Sequence, residues 1–177
     1  MIDYAADPVF SFLRRRPLPE LNVLMVCLGN ICRSPTAEAV LRSKLARAGL
    51  DQRIGVASAG THGERGSAPD ARAVAAGAKR GYDLSAIRSR RIGVPDFERF
   101  DLVLAMDRDN LEHLSARCPQ PMVSRLSLLL QHAPGAALQD VPDPYYGGTA
   151  GFERVLDLIE PACDGLLLTL QRQLTAR

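Results

Sequence analysis

The chain has 177 residues, with 22 Lys and Arg against 20 Asp and Glu for a formal net charge of +2, and 46% of its residues are hydrophobic, as expected of one globular domain. At 24% charged residues with no sustained block of one sign, it is neither a disordered polymer nor a protein that coats nucleic acid by bulk charge, so any anion must be caught locally. Apolar runs such as Leu128 to Leu130 fall far short of the roughly 20 residues a membrane-spanning helix needs, and the four unevenly spaced cysteines (Cys27, Cys32, Cys118, Cys163) match neither a disulfide scaffold nor a structural zinc site.

Residues 1–20 end in Arg14-Arg15-Arg16-Pro17-Leu18-Pro19 and read as an N-terminal extension ahead of a single domain, 21–177. The arginines follow the apolar Val9, Phe10, Phe12 and Leu13, the reverse of a secretory signal, so a cytoplasmic location is expected. The alternative for the three arginines is contact with an acidic partner or a lipid surface. Leu21 to Val26 is short and almost continuously apolar, which predicts a strand buried on both faces of a parallel sheet. A glycine-bearing loop follows, then Pro35 opens a helix with Ala37, Val40, Leu41 and Leu45 at helical spacing until Gly49. Arg53 to Ser58 is a second strand, and Asp70 to Lys79 an alanine-rich helix stopped by Gly81. Asp101 to Ala105 is a third strand, after which Asp107 caps a helix running to about Arg117. Met122 to Leu126 is expected as the fourth strand and Leu126 to His132 as a short helix. Phe152 to Leu174 closes the chain as a long helix with Val155, Leu156, Ile159, Leu166, Leu167 and Leu170 inward, dented at Pro161. This alternation predicts an α/β fold: an open, doubly wound, mostly parallel sheet with helices on both faces and a ligand site beyond the carboxyl ends of its strands.

The loop after the first strand lies there. Cys27-Leu28-Gly29-Asn30-Ile31-Cys32-Arg33-Ser34-Pro35 separates a cysteine from an arginine by five residues, between a buried strand and a helix N-terminus. Backbone N–H groups curling around that terminus form a cradle suited to a phosphate dianion. Gly29 permits the tight turn, and Arg33 offers two parallel N–H bonds to phosphoryl oxygens. The same field favours a thiolate at Cys27, a nucleophile toward phosphorus, and an inward Ser34 hydroxyl stabilises that sulfur. No metal or cofactor is called for. An acid must protonate the leaving oxygen. Asp143 is the candidate, in Val141-Pro142-Asp143-Pro144-Tyr145-Tyr146, where prolines stiffen the backbone and Tyr145 and Tyr146 can wall a cleft for a flat substrate. As pattern alone, Asp-Pro is also a plain turn signal. His62, His113 and His132 lack ligand spacing and are expected in surface or packing roles; Cys118 and Cys163 are expected to be structural.

These residues resemble the low-molecular-weight protein tyrosine phosphatases. Val26 to Pro35 is similar to that family's phosphate-binding loop, Ser58-Ala59-Gly60-Thr61 to its second loop, Ala105-Met106-Asp107 to its third-strand exit, and Asp143-Pro144-Tyr145-Tyr146 to its acid loop. The resemblance implies a four-stranded parallel sheet and phosphotyrosine hydrolysis through a phosphocysteine. It implies Cys27 as nucleophile, Arg33 as phosphate and transition-state ligand, Ser34 as thiolate stabiliser and Asp143 as general acid then base. The rest of the loop, Leu28, Gly29, Asn30, Ile31 and Cys32, would bind or support the phosphate, with Asn30 and Ser58 hydrogen-bonded to hold its shape. Asparagine suits this, because it tolerates left-handed backbone. Cys32 has two readings, a small apolar filler or, by the resemblance, the thiol that captures an oxidised Cys27 as a disulfide. The implied partner is a phosphotyrosine protein, with a bacterial tyrosine kinase governing polysaccharide export as one candidate, and the implied assembly a monomer or weak dimer.

The chain departs from the family between Thr61 and Asp70, where family members commonly place a large aromatic; here there is none, and the chain has no Trp. Tyr145, Tyr146 and Leu28 are left to hold the substrate ring. Ile31 stands where phosphoarginine-directed members tend to carry threonine, which favours phosphotyrosine. Two alternatives stand beside this reading. A thioredoxin-coupled arsenate reductase shares the loop but needs a further redox pair, and no cysteine lies between Cys32 and Cys118. A catalytically silent phosphate-binding module would keep the cradle without turnover.

Overall fold

Strand β1 (Leu21–Cys27) has no charged residue, and only Asn22 is more than barely exposed. Its side chains alternate between two cores: Leu21, Val23, Met25 and Cys27 face one, Leu24 and Val26 the other. That period of two is what a strand sandwiched between helical layers requires. A computed structural model describes residues 18–135 and 137–176; the sequence expectations for Arg14 to Arg16 and the rest of 1–17 lie outside the described residues.

After β1 come α1 (Arg33–Arg47), β2 (Ile54–Gly60), α2 (Ala71–Lys79), α3 (Val94–Arg99), β3 (Leu102–Ala105), α4 (Arg108–Ser115), β4 (Leu126–Leu128) and α5 (Thr149–Thr175). All pairings are parallel, in the order β2-β1-β3-β4. The chain therefore leaves β1 toward one edge and returns across it to the other. The carboxyl end of β1 becomes the switch point at which such sheets open a crevice.

Helices α1, α2 and α5 cover the first face through Val40, Leu41, Leu45, Ala73, Ala76, Val155, Ile159 and Leu166. Phe97 of α3 and Leu114 of α4 seal the second against Leu24, Val26 and Val103. Local signals set the helix ends. Asp70 Oδ1 accepts from Arg72 N (2.8 Å) to cap α2, and Asp107 Oδ1 accepts from Asn110 N (2.7 Å) to cap α4. Gly49 and Gly81 take φ of +67° and +81° just beyond α1 and α2. Helix α5 runs as one element through Pro161, which supplies no N–H to the turn before it. Among the described residues no helix is long and apolar enough to cross a membrane.

Two expectations are corrected. The fourth strand is Leu126–Leu128, not Met122 to Leu126: Gln120–Arg125 is a 3-10 turn, and the expected helix over Leu126 to His132 splits into β4 and a 3-10 turn at Leu129–His132. Pro121 favours the early turn, and pairing of Val103, Leu104 and Ala105 with Leu126, Ser127 and Leu128 sets the register. The short α3 is absent from the sequence expectations, because six residues are too few to show a helical period.

Candidate active site

Residues 27–34 wrap the carboxyl end of β1 into the first turn of α1. Thr61 N donates to the Cys27 carbonyl (2.9 Å), His62 N to that of Leu28 (2.9 Å) and Asp70 N to that of Ile31 (2.8 Å). The loop's carbonyls are thus turned outward to neighbouring backbone. Gly60, paired with Cys27 across the sheet, allows the close approach: a Cβ there would lie 2.6 Å from the Leu28 carbonyl oxygen and 2.9 Å from Gly63 N. Only glycine fits that position unless backbone moves.

Inside the turn, Cys27 is 3% exposed. Its Sγ lies 3.0 Å from Ser34 Oγ and accepts from Asn30 N at 3.3 Å. Asn30 has φ of +57°, the one non-glycine residue in the left-handed region among those described. The side chain compensates for the backbone cost. Its Nδ2 donates to Ser34 Oγ (2.9 Å) and Ser58 Oγ (2.8 Å), and its Oδ1 accepts from Arg90 N (3.0 Å). The polarity of this network follows from its far end. Ser58 Oγ donates to the buried Glu38 carboxylate, so its lone pairs face Asn30. Ser34, having accepted from Asn30, keeps its own proton for Cys27 Sγ or for the Ala59 carbonyl at 3.3 Å. Burial pushes the Glu38 carboxyl up; the hydrogen bond from Ser58 and the charges of Arg42 and Arg90 pull it back.

Arg33 enters at the start of α1 and is 3% exposed. Its Nη1 donates to Asp107 and to the Val141 carbonyl (3.0 Å), and its Nη2 to Asp143 Oδ2 at 2.9 Å. Burial works against the guanidinium charge, yet Cys27, Asp107 and Asp143 hold its pKa above the ordinary arginine value. Asp143 is anchored too: Val141 N donates to the Met106 carbonyl (2.8 Å), and Asp143 Oδ1 accepts from Tyr145 N (3.1 Å). The acid loop is thereby tied to the end of β3.

A cleft of about 180 Å³ opens above, lined by Cys27, Leu28, Gly29, Ile31, Cys32, Arg33, Asp143, Tyr145 and Tyr146. The sequence-predicted residues converge, these around the cleft and Asn30, Ser34 and Ser58 behind it. Tyr145 and Tyr146 meet edge to face at 5.0 Å. None of residues 62–69 lines the cleft, and His62 turns away to the His113 ring on α4, 4.9 Å between centroids. Cys32 is buried, and burial, then the charges of Asp70, Cys27 and Asp143, pushes its thiol up to about 12. A larger groove of about 430 Å³ runs along β2 past Arg42, Leu45 and Ile54, and holds no nucleophile.

Sequence reasoning assigns three participants too little. Asp107 reads as a helix cap within the third-strand exit and is given no contact with the loop; its second oxygen takes Arg33. Glu38 draws no notice as one charge on α1, although it stands four residues after Ser34, on the side that faces the loop. Arg72 lies in the first turn of α2, where the helix dipole disfavours a cation. That misplacement is the available signal, and the structure supplies its reason: Arg72 reaches the carbonyls of Tyr145 and Gly147, both at 3.0 Å.

Comparison with known proteins agrees with this architecture. The model of the family described as low molecular weight phosphotyrosine protein phosphatase matches residues 22–176. A low molecular weight protein-tyrosine-phosphatase of Streptomyces coelicolor is 42% identical over 160 residues, 88% of this chain and 97% of the relative. The low molecular weight phosphotyrosine protein phosphatase of Homo sapiens is 38% identical over 149 residues, 82% of this chain and 93% of the relative. The crystal structure of a protein tyrosine phosphatase from Entamoeba histolytica superposes with a TM-score of 0.81 at 39% identity, over 86% of this chain and 98% of that one. With the fold, the cradle and the relatives in accord, the chain belongs to the low molecular weight phosphotyrosine protein phosphatases, hydrolases of phosphoric monoesters.

Proposed function

We propose that this protein hydrolyses phosphotyrosine in two displacements at Cys27. The thiolate attacks phosphorus as the bond to the tyrosyl oxygen breaks, and Asp143 gives its proton to that oxygen. Water then attacks the phosphocysteine, Asp143 takes the water's proton, and phosphate and thiolate are released. Ser34 donates to the sulfur as nucleophile and as leaving group. The loop N–H groups and Arg33 hold the equatorial oxygens as their charge redistributes. The observation that carries this reading is the 2.9 Å contact of Arg33 Nη2 with Asp143 Oδ2, which brings a carboxyl 110 residues away in sequence to the mouth of the cysteine's loop. An entering phosphoryl group takes over that arm of Arg33 and frees the carboxyl to act on the leaving oxygen.

Ile31, on the cleft wall, crowds a guanidinium and suits an aryl ring, so phosphotyrosine is favoured over phosphoarginine. The arsenate-reductase alternative lacks a relay. Cys118 packs against the second core, on the far face of the sheet, and Cys163 is buried in α5. On the resemblance, a bacterial tyrosine kinase governing polysaccharide export is the protein substrate to try first.

The test is hydrolysis of aryl phosphates and a phosphotyrosine kinase tail from about pH 4.5 to 8.5 with EDTA present, where a thiolate and a protonated acid together predict a bell-shaped rate. Asp143→Asn should lower kcat/KM on phosphotyrosine by about 10²-fold and flatten the limb governed by the acid. A folded wild type that binds phosphate but never turns over would leave only a binding module, and untouched kinase tails would remove that substrate.

We further infer that Cys32 protects the site. When a peroxide converts Cys27 to its sulfenic acid, the Cys32 sulfur attacks that sulfur, the S–O bond breaks, and hydroxide leaves with the thiol's proton as water, forming a disulfide. Cys32 lines the same cleft as Cys27, and its buried thiol, held protonated, is itself slow to be oxidised by peroxide. Peroxide followed by dithiothreitol should restore most wild-type activity and little of that of Cys32→Ala. Equal recovery in both would refute the role.

A further inference from the structure

We propose that Arg72 is a positioning residue for this reaction: with Asp70 it straps the acid loop to the phosphate loop and so sets where the Asp143 carboxyl lies. The inference rests on the phosphatase reading above and concerns a residue outside the cleft.

The strap begins at the phosphate loop, where Asp70 N donates to the Ile31 carbonyl at 2.8 Å. The Asp70 carboxylate grips Arg72 at two points, Oδ1 from Nε (3.0 Å) and Oδ2 from Nη2 (2.8 Å). A planar guanidinium held by its fork has one orientation left to it. That orientation sends Nη2 to the Tyr145 carbonyl and Nη1 to the Gly147 carbonyl, both at 3.0 Å. The same guanidinium lies 4.7 Å over the Phe152 ring at the start of α5 and 5.8 Å from the Tyr145 ring. Tyr145 N in turn donates to Asp143 Oδ1. An unbroken series of contacts thus joins Ile31 in the cradle to the acid, through Asp70, Arg72 and Tyr145.

The acid loop has few other anchors. On its near side Val141 N donates to the Met106 carbonyl and Arg33 reaches the Val141 carbonyl and Asp143. Beyond Asp143, Pro144 is buried and the turn's own hydrogen bond runs from Gly147 N to the Pro144 carbonyl at 2.9 Å. Tyr145 and Tyr146 are well exposed and add little burial. Two carbonyls accepting from one held guanidinium are therefore what ties the exposed residues 145–148 to the rest of the fold. Without them the exposed segment beyond Pro144 can swing, the Tyr145 N–H holds the Asp143 carboxylate less often, and Asp143 meets the leaving oxygen in fewer bound complexes. Lysine cannot substitute fully, since one ammonium on a flexible stem does not span Asp70 and two carbonyls in fixed geometry.

The test uses the leaving group as a reporter. In kcat/KM, which covers steps through its departure, Arg72→Ala should cost about 10- to 30-fold on phenyl phosphate, whose oxygen needs the proton, and only about 2-fold on p-nitrophenyl phosphate. Arg72→Lys should fall between wild type and Arg72→Ala on the phenyl ester. In an Asp143→Asn background Arg72→Ala should add less than about 2-fold, because residues acting through one group are not additive. Equal losses on the two esters, or a full loss persisting in the Asp143→Asn background, would overturn the proposal. Hydrogen exchange reads the strap without catalysis. The amides of Tyr145 and Gly147 should exchange faster in Arg72→Ala while those of β1 do not, and unchanged rates there would equally overturn it. Failure of the wild type to hydrolyse either ester would instead refute the phosphatase reading and leave the exchange result to judge the strap.

Discussion

Cys27→Ser should lower turnover of any aryl phosphate by about 10³-fold or more, about 4 kcal/mol in barrier, while phosphate affinity stays within about 3-fold of wild type. The contacts around the sulfur suit a thiolate: an N–H from Asn30 and a hydroxyl from Ser34, at the positive end of α1. A serine hydroxyl in the same place keeps its proton at neutral pH and has no base positioned to take it. The cradle itself is made by backbone and Arg33, so the oxyanion still binds. Single-turnover hydrolysis and calorimetric titration with inorganic phosphate separate the two properties. Activity above about 1% of wild type in the serine variant would move the nucleophile elsewhere.

Arg33→Lys should cost about 10² to 10³-fold in kcat/KM and weaken phosphate binding as well. Nη1 is already committed to Asp107 and the Val141 carbonyl, and Nη2 is the arm that reaches Asp143 and, on the proposed mechanism, would turn to the phosphoryl group. A lysine ammonium can hold Asp107 or turn to the phosphoryl oxygens, not both in fixed geometry. Lysine is the informative replacement because the positive charge remains. Alanine would leave the part-buried carboxylate of Asp107, 21% exposed, without its cation, at a cost to stability below the roughly 3–5 kcal/mol typical of a fully buried pair. A lysine variant with a near-wild-type melting temperature and less than about a 3-fold loss, against the roughly 10²-fold expected, would show that charge suffices and the fork does not matter.

The core of the site was legible in sequence because it is local. Cys27 to Pro35 combines a buried strand end, a glycine, an asparagine in the left-handed region and a helix start, and each preference acts within a few residues. The helix cap at Asp107 and the stops at Gly49 and Gly81 were legible for the same reason. Asp143 was a candidate from the prolines and tyrosines around it, but an Asp-Pro pair is equally a plain turn, and the resemblance strengthened the choice. Strand β4 was misplaced because three residues in a half-buried edge carry little pattern, and their register comes from β3 rather than from themselves.

What the sequence by itself determined was the α/β alternation and the Cys27 to Pro35 loop with the residue types its proposed chemistry needs, since backbone geometry and residue type at short range suffice for these. What only the tertiary structure decided was who meets whom across that loop. Asp107 and Asp143 converge on Arg33 from 74 and 110 residues away, Glu38 orients Ser58 from behind, and Arg72 takes hold of the acid loop 73 residues downstream. Those contacts depend on the strand order β2-β1-β3-β4, which sets the exits of β2 and β3 on either side of the carboxyl end of β1. That order is chosen by burial of both sheet faces over the whole chain, a sum over many weak contacts that no single stretch of sequence contains.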